Sequence, residues 1–481
     1  EFLSADVSSK KWYKDNLTQF LEICQLHGDA ATQHHNQLVE KYIAQPSADL
    51  KESQLSNITA SGPPLKVLLD SLEKLRDRRA AADRSDIRTR FADIALLKKR
   101  LLTNGKVNKP NFKEDFILTK ANYLLNHSVG RPLKTSEKNF SEQLYTPWKN
   151  SISEPWEQWL GIINDFTTSL TRLFNAKQSE FCPQVNLSSG LTKILMSLDQ
   201  AQSKNCVILV SEIDFPGMGF ALQKSLPEDC EIRFIPSNVD ITNASVWDEY
   251  LIPDVDLVFV SHAYSNTGQL SPISQVLSMA RSRNIISILD IAQSVGIVPI
   301  DLKALNPDFM IGSSVKWLCG GPGAAYLWVN SDRLASCNPK DVGWFSHENP
   351  FEFDIHNFRY RDSALKFWGG TPSIAPYAIA AHSINYFTNI GLKNIRKHNQ
   401  LLIEKTANAL DLEFVSPREE AIRGGTMILD FGGNQQKILK QLKEHNISVD
   451  LRSHGIRISP HIYNDEEDID QLLSVIKSTK L

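Results

Sequence analysis

The chain has 481 residues, 42% hydrophobic and 22% charged, the profile of a soluble globular protein with room for two or three domains. A formal net charge of −3 offers no basic surface to nucleic acid or an anionic membrane, and no run of about 18 apolar residues is present to cross a bilayer. The six cysteines (Cys24, Cys182, Cys206, Cys230, Cys319 and Cys337) are scattered without a CxxC pair, which argues against a zinc site or a disulfide framework and for a reducing, cytoplasmic setting.

The first residues, EFLSADVSSKKWYKDN, lack the apolar core of a signal peptide. Residues 1–110 are predicted to form a helical N-terminal extension. LTQFLEICQLHGDAATQHHNQLVEKYI has helical apolar spacing, and PPLKVLLDSLEKLRDRRAAADRSDIRTRFADIALLKKRLL is long, charged and amphipathic with Pro at its start. Within it, His27, His34 and His35 could hold a metal or haem, although histidines on a polar helix are more often simply solvated. TNGKVNKPNFKED reads as a linker.

From about residue 116 the texture changes. CVILVSE, EIRFIP, DLVFVSH, IISILD, FMIGS and AAYLWV are short β-branched runs alternating with helical patterns, and they are apolar on both faces. That pattern predicts an α/β domain over 111–375 with a mostly parallel sheet covered on both sides. Ligands of such sheets sit beyond the carboxyl ends of the strands. After about 375 helices dominate, and TMILDF, ISVDLR and GIRISP predict a small α+β domain over 376–481.

Chemistry-bearing residues fall at the predicted strand ends. Asp290 ends IISILD, and Lys316 follows FMIGSSV just before a Gly-Pro-Gly turn. A lysine at the end of a buried strand is unusual, and a buried acid must meet a cation. The pair suits pyridoxal 5′-phosphate: the lysine amine condenses with the aldehyde, and the aspartate keeps the pyridine nitrogen protonated, which makes the ring an electron sink. The phosphate needs donors, and SSGLTKILMSL is a Gly-containing turn opening a helix, with Thr192 expected in its first turn. Ser313 adds a hydroxyl, and Phe215 follows a strand where a ring could stack on the cofactor. Each feature has an ordinary alternative: a common Gly-rich turn, a helix cap at Asp290, a core phenylalanine, a snorkelling lysine. The ordered set is more specific than any member.

With these residues in place, residues 118–481 resemble the fold type I, class V aminotransferase superfamily, and several segments resemble kynureninase. The first hundred residues carry no such resemblance. The fold implied is a central, mostly parallel seven-stranded sheet with a small C-terminal domain. YLLNHSVGRP is similar to the family's first substrate-contacting segment, which implies Asn126 and Ser128 at the substrate. Leu191-Thr192 matches the phosphate turn and Phe215-Pro216 the ring-stacking position. Ser265 and Asn266 precede TGQL in the loop near the cofactor's 3-hydroxyl. DIAQ implies Asp290 as the pyridinium partner with Gln293 beside it, and KWLCGGPG implies Lys316 as the cofactor's covalent anchor. VGWFSHENPFEFD resembles a kynureninase segment that places Trp344 at phosphate and substrate. FWGGTPS implies that Thr371 reaches the phosphate of the other subunit of a homodimer, and GIRISPHIYN implies that Arg457 clamps the substrate's α-carboxylate as a bidentate fork.

Two positions depart from kynureninase: Gln293 stands where it usually has His, and Val315 where it usually has Tyr, so Tyr264 or Ser313 would replace that phosphate donor. A cysteine desulfurase would carry a nucleophilic Cys shortly before the arginine; VDLRSHGIR has none, and Cys319 reads as a packed small residue. The resemblance implies a hydrolase that cleaves the Cβ–Cγ bond of kynurenine or a related amino acid, giving alanine and an aromatic acid. A class V C–S β-lyase or epimerase-like enzyme would use the same Lys316, Asp290 and Arg457. A partner-binding scaffold that retains the enzyme fold is the reading from another class.

Overall fold

The chain divides into two units, Glu1–Phe112 and Lys113–Leu481. A computed structural model describes residues 112–412 and 414–479. The extension expected over 1–110, with His27, His34 and His35, lies outside the described residues.

The second unit is built around a seven-stranded sheet. In chain order the chain first lays down a two-residue strand β1 (Asn122–Tyr123), then the sheet strands β2 (Phe181–Gln184), β3 (Val207–Ser211), β4 (Glu231–Ile235), β5 (Leu257–Ser261), β6 (Ile286–Asp290), β7 (Phe309–Ser313) and β8 (Ala325–Val329). The sheet order is β2-β8-β7-β6-β5-β3-β4, and only β8 runs against its neighbours. The carboxyl ends of β2, β3, β5, β6 and β7 therefore share one edge. Strands β3, β5, β6, β7 and β8 are buried along their whole length, as their unbroken apolar runs require; each Val, Ile or Leu so buried contributes roughly 1.5–3 kcal/mol.

The two edge strands lack such unbroken apolar runs. β4 is half exposed, and Arg233 on it pairs with Glu231 and Asp254, charges that blunt a sheet edge. β2 is a strand that the sequence pattern does not announce: FCPQ is short and contains Pro183, which a central strand excludes and an edge strand tolerates.

Helices cover both faces. α1 (Trp156–Phe174) buries Ile162, Phe166, Leu170 and Leu173 at helical spacing and packs on α6 (Ala375–Ile390). Between them in sequence lie α2 (Leu187–Ser197), α3 (Pro216–Ser225), α4 (Ala244–Tyr250) and α5 (Ile273–Ser282). A core of Ile194, Leu195, Ile208, Phe259, Ile288 and Ile311 joins α2 to the sheet.

The C-terminal part is a three-stranded antiparallel sheet, order β11-β12-β9, formed by β9 (Met427–Leu429), β11 (Asp450–Arg452) and β12 (Gly455–Ile458). It is covered by α7 (Leu392–Ala409), α8 (Gln435–Glu444) and α9 (Glu466–Ser478) around Leu402, Ile438, Ile456 and Leu472. β1 pairs in parallel with β10 (Ile447–Ser448), and Leu124 joins this smaller core. The segment that opens the large domain in sequence thus crosses to the small one.

Candidate active site

Lys316 sits in the connection between β7 and β8. Because β8 runs antiparallel to β7, this connection is a closed loop rather than a crossover. Cys319 N–H donates to Lys316 O at 3.0 Å, Gly320 N–H to Ser314 O at 2.7 Å and Ser314 N–H to Ala324 O at 3.0 Å. Left-handed backbone at Cys319, Gly321 and Gly323 (φ 51°, 73° and 88°) turns the chain back, with glycine at two of the three positions. The Gly-Gly-Pro-Gly run thus serves the return, and the lysine is fixed on its near side. The Lys316 amine has no hydrogen-bond or ion-pair partner among the described residues. Burial lowers its pKa to about 8; the Asp290 charge pushes it back up and the Arg457 charge pushes it down.

Asp290 is the last residue of β6 and 6% exposed. Ala292 N–H donates to Oδ1 at 2.7 Å, and no helix follows, so it caps a turn. Burial raises its pKa, opposed by the Ala292 N–H and the Lys316 charge.

Behind it lie groups that no sequence motif singles out. Asp214 accepts from Ser211 N–H at 2.9 Å through Oδ2, while Oδ1 has no partner; burial lifts its pKa to about 7, against hydrogen bonds from Ser261 and Ser211. His262 N–H donates to Asp290 O at 2.8 Å, but its ring Nδ1 is buried without a partner, and burial lowers its pKa to about 4. Such shifts gathered at one strand edge mark a functional site. Tyr264, a candidate phosphate donor, is enclosed: it is 2% exposed, and its hydroxyl lies 3.3 Å from Ser271 Oγ.

The segment after β1 lies across the Lys316 loop. Gly130 N–H donates to Val315 O at 2.8 Å, and a Cβ on Gly130 would lie 2.2 Å from Lys316 O. Gln293 Nε2 donates to His127 O at 3.1 Å, leaving its Oε1 buried without a partner. Asn126 is fully buried and its Oδ1 accepts from Tyr463 OH; Ser128 is exposed.

Arg457 comes from β12 and is already partnered. Nε donates to Asp450 Oδ1 at 2.8 Å, Nη2 to Asp450 Oδ2, and Nη1 to the Ser265 carbonyl at 3.0 Å. Asp450 is its direct cross-strand neighbour. The hydrogen bond to Ser265 ties the small domain to the loop after β5, where Asn266 also lies. His127, with a ring pKa lowered by burial, completes the group through Nε2, 2.9 Å from Asp450 Oδ1. Neither His127 nor Asp450 stands out in the sequence; the facing VDLR and GIR strands hold the signal for the second.

Other expected positions stand differently. Asn186 caps α2 by accepting from Ser189 N–H at 2.8 Å, so the helix opens at Leu187 and Leu191-Thr192 fall in its second turn. Leu191 is fully buried, and Thr192 Oγ1 accepts from Ser225 Oγ at 2.9 Å. The helix N-terminus, whose free N–H groups suit an anion, is four residues earlier, at Leu187 and Ser188. Phe215 sits at the N-cap position of α3 and is 57% exposed, not a core position. Ser313 Oγ accepts from Val315 N–H at 3.4 Å. Trp344 packs among Trp156, Phe345, Phe351 and Phe353, and Thr371 is exposed; among the described residues neither makes a hydrogen bond or ring contact with Lys316, Asp290 or Arg457.

The family model for "Aminotransferase class-V" matches residues 132–472. The chain belongs to the class-V aminotransferase family. Kynureninase of Shouchella clausii is 26% identical over 388 residues, covering 76% of this chain and 90% of that protein. The uncharacterized aminotransferase YcbU of Bacillus subtilis is 23% identical, covering 73% of this chain and 91% of its own length. Among solved structures, a cysteine desulfurase from Thermococcus onnurineus superposes with a TM-score of 0.68 at 20% identity, covering 76% of this chain and 96% of that one. The cystine C–S lyase C-DES in complex with cysteine persulfide does so with a TM-score of 0.69 at 21% identity, covering 76% and 99%. These two show the fold. A second family model, "Monodechloroaminopyrrolnitrin synthase PrnB", matches residues 1–101, so the stretch outside the first resemblance has a relationship of its own.

The cofactor of this class-V enzyme is pyridoxal 5′-phosphate. The donor set fits it: an amine with a lowered pKa and no partner among the described residues for the aldehyde, a buried carboxyl for the ring nitrogen and an exposed phenylalanine. Among the described residues no helix is long and apolar enough to cross a membrane.

Proposed function

We propose that the protein is a kynureninase-like hydrolase that splits the Cβ–Cγ bond of kynurenine or a closely related amino acid, with Lys316, Asp290 and Arg457 as its working residues. The observation that carries the reading is the partly buried Lys316 amine, which has no partner among the described residues and feels the charges of Asp290 and Arg457. Bound pyridoxal phosphate supplies an aldehyde that captures amines and a ring that withdraws electrons from the substrate's Cα. Lys316 anchors it and, once released by the incoming amine, takes the Cα proton; a pKa of about 8 leaves a useful neutral fraction near neutral pH. Asp290 would hold the proton on the ring nitrogen, and Phe215 would supply a stacking face for the ring. Leu187 and Ser188 at the N-terminus of α2, with Ser313, hold the phosphate. Arg457 grips the α-carboxylate and so keeps the Cα–H bond aligned for removal. Water adds to the γ-carbonyl, the Cβ–Cγ bond breaks, and alanine and an aromatic acid leave.

Kynureninases matching about three quarters of the chain support the substrate class. The exposure of Thr371, with no contact to Lys316 of its own chain, supports a homodimer in which it serves the other subunit. Free cysteines, most of them buried, support a cytoplasmic setting. The match at residues 1–101 supports a separate role for the N-terminal part, and a truncation starting after residue 110 tests whether turnover needs it.

Incubating the pyridoxal-phosphate-loaded protein with kynurenine and 3-hydroxykynurenine decides the reaction. Alanine with anthranilate or 3-hydroxyanthranilate is the expected result. Gln293, which stands where kynureninase usually has His, supports one rival, β-elimination from a sulfur-containing amino acid. Pyruvate and ammonia from such a substrate, with no cleavage of either kynurenine, would establish it instead.

A further inference from the structure

A substrate clamp whose guanidinium is already bonded to an internal carboxylate raises a question of geometry. Arginine has five N–H donors. Asp450 takes the Nε edge with both oxygens, and Ser265 O takes one hydrogen of Nη1. Among the described residues that leaves two donors, one on each terminal nitrogen, for a second carboxylate.

Asp450 is in turn held from behind. An ionised carboxylate can only accept, so His127 Nε2, 2.9 Å from Oδ1, carries the proton. His127 is 2% exposed, and burial favours the neutral ring. Its Nδ1 then accepts from Ser459 O–H at 2.6 Å, and Ser459 Oγ accepts from Thr426 O–H at 2.8 Å. Ser459 is fully buried and Thr426 is 5% exposed. Every donor in this chain has one acceptor, so the direction of each hydrogen bond is determined. Arg452, 3.3 Å from Asp450 Oδ2, is the other cation on that carboxylate and is mostly exposed.

We propose that Thr426, Ser459, His127 and Asp450 form a positioning chain that fixes the plane of Arg457 and turns its two remaining N–H groups toward the substrate's α-carboxylate. The proposal rests on the reading of Arg457 as the carboxylate clamp. It makes Asp450 an orienting partner, not a competitor for the guanidinium, and it gives His127 a role in recognition that its place in the first segment did not suggest.

The test compares L-alanine with ethylamine, which lacks only the carboxylate, by titrating each into the pyridoxal-phosphate-loaded protein and following the absorption of the bound cofactor. The ratio of the two affinities reads the clamp without turnover. In D450N the affinity for L-alanine is expected to fall about tenfold to a hundredfold with that for ethylamine unchanged, the scale of loss that a misplaced group produces. S459A, which removes one hydroxyl from the His127 ring with almost no change in core volume, is expected to lose a few-fold in the same direction. It guards against an unfolded D450N. Two results would overturn the proposal while leaving the clamp intact. One is tighter L-alanine binding in D450N, which would make Asp450 a competitor. The other is an unchanged ratio in both variants while R457A loses discrimination. If R457A itself keeps the wild-type ratio, the clamp reading of Arg457 falls, and the positioning chain with it.

Discussion

Lys316 and Arg457 are the two cations of the candidate site, but the fold treats them in opposite ways. Lys316 stands at the carboxyl edge of the large sheet with its amine unpartnered among the described residues, and burial lowers its pKa to about 8. Arg457 stands on the small sheet with three of its nitrogens engaged by Asp450 and Ser265. A buried charge without a partner is costly, and a lysine can relieve the cost by giving up its proton, whereas an arginine cannot. The difference separates chemistry from recognition. On the proposed function, the group that would shed and take protons is left unsatisfied, and the group that would remain a cation is held by Asp450 and Ser265 with one N–H left on each terminal nitrogen.

The sharpest way to break this comparison is to remove the unsatisfied member. K316A is expected to lower turnover by about a thousandfold or more, since it removes both the covalent anchor and the base. Wild-type turnover by K316A, assayed on the cofactor-loaded protein, would show that the amine has no part in the chemistry. The next effect belongs to Arg457. R457K keeps the charge but loses the planar fork, and KM is expected to rise roughly tenfold to a hundredfold with a smaller change in kcat. A fall in kcat at unchanged KM would move Arg457 from binding into the chemical step.

The two members are not equally legible in the sequence. Lys316 and Asp290 announce themselves because a lysine and an aspartate at the ends of otherwise apolar strands break the pattern. The parallel sheet is legible for the same reason, since β3 and β5 to β8 are unbroken apolar runs. β2 is not, because its proline fits only an edge whose position depends on the whole sheet order. The start of α2 reads too late from sequence: Gly190 suggests the turn, but Asn186 is the residue that caps the helix. Arg457 is legible as a clamp only through resemblance, and its partner Asp450 seven residues earlier looks like any surface acid, because only the β11–β12 register brings the two face to face. His127 lies more than 300 residues from Asp450 in sequence, and no local pattern encodes that contact.

A smaller effect probes the seam between the two regions. Gly130 passes over the Lys316 loop so closely that an added Cβ would lie 2.2 Å from Lys316 O and 2.5 Å from Cys319 Sγ. Both neighbours belong to a loop fixed by its own hydrogen bonds, so G130A must shift backbone, at a cost of about 1–3 kcal/mol. Denaturant unfolding should show that loss, together with a higher KM because His127 moves with the segment. Unchanged stability would mean that the segment docks more loosely than the Gly130–Val315 hydrogen bond implies.

The subtlest consequence concerns the lysine's charge in the cofactor-free protein. Its pKa is about 8 in the folded chain, below the ordinary 10.5 expected when unfolded. Between those values the unfolded state binds more protons, so the Lys316 contribution to stability rises with pH. Below about pH 8 both states are protonated and the full burial penalty applies; above about 10.5 both are neutral and it disappears. K316M, which fills similar space without a charge, should therefore be more stable than the wild type at pH 7, by at most about 3 kcal/mol, and the gap should close as the pH rises through that window. The two proteins differ only at this side chain, so the difference between them isolates the amine. A gap that stayed constant with pH would mean that Lys316 is as well paired as Arg457, and the contrast between an unsatisfied chemical group and a satisfied recognition group would not survive.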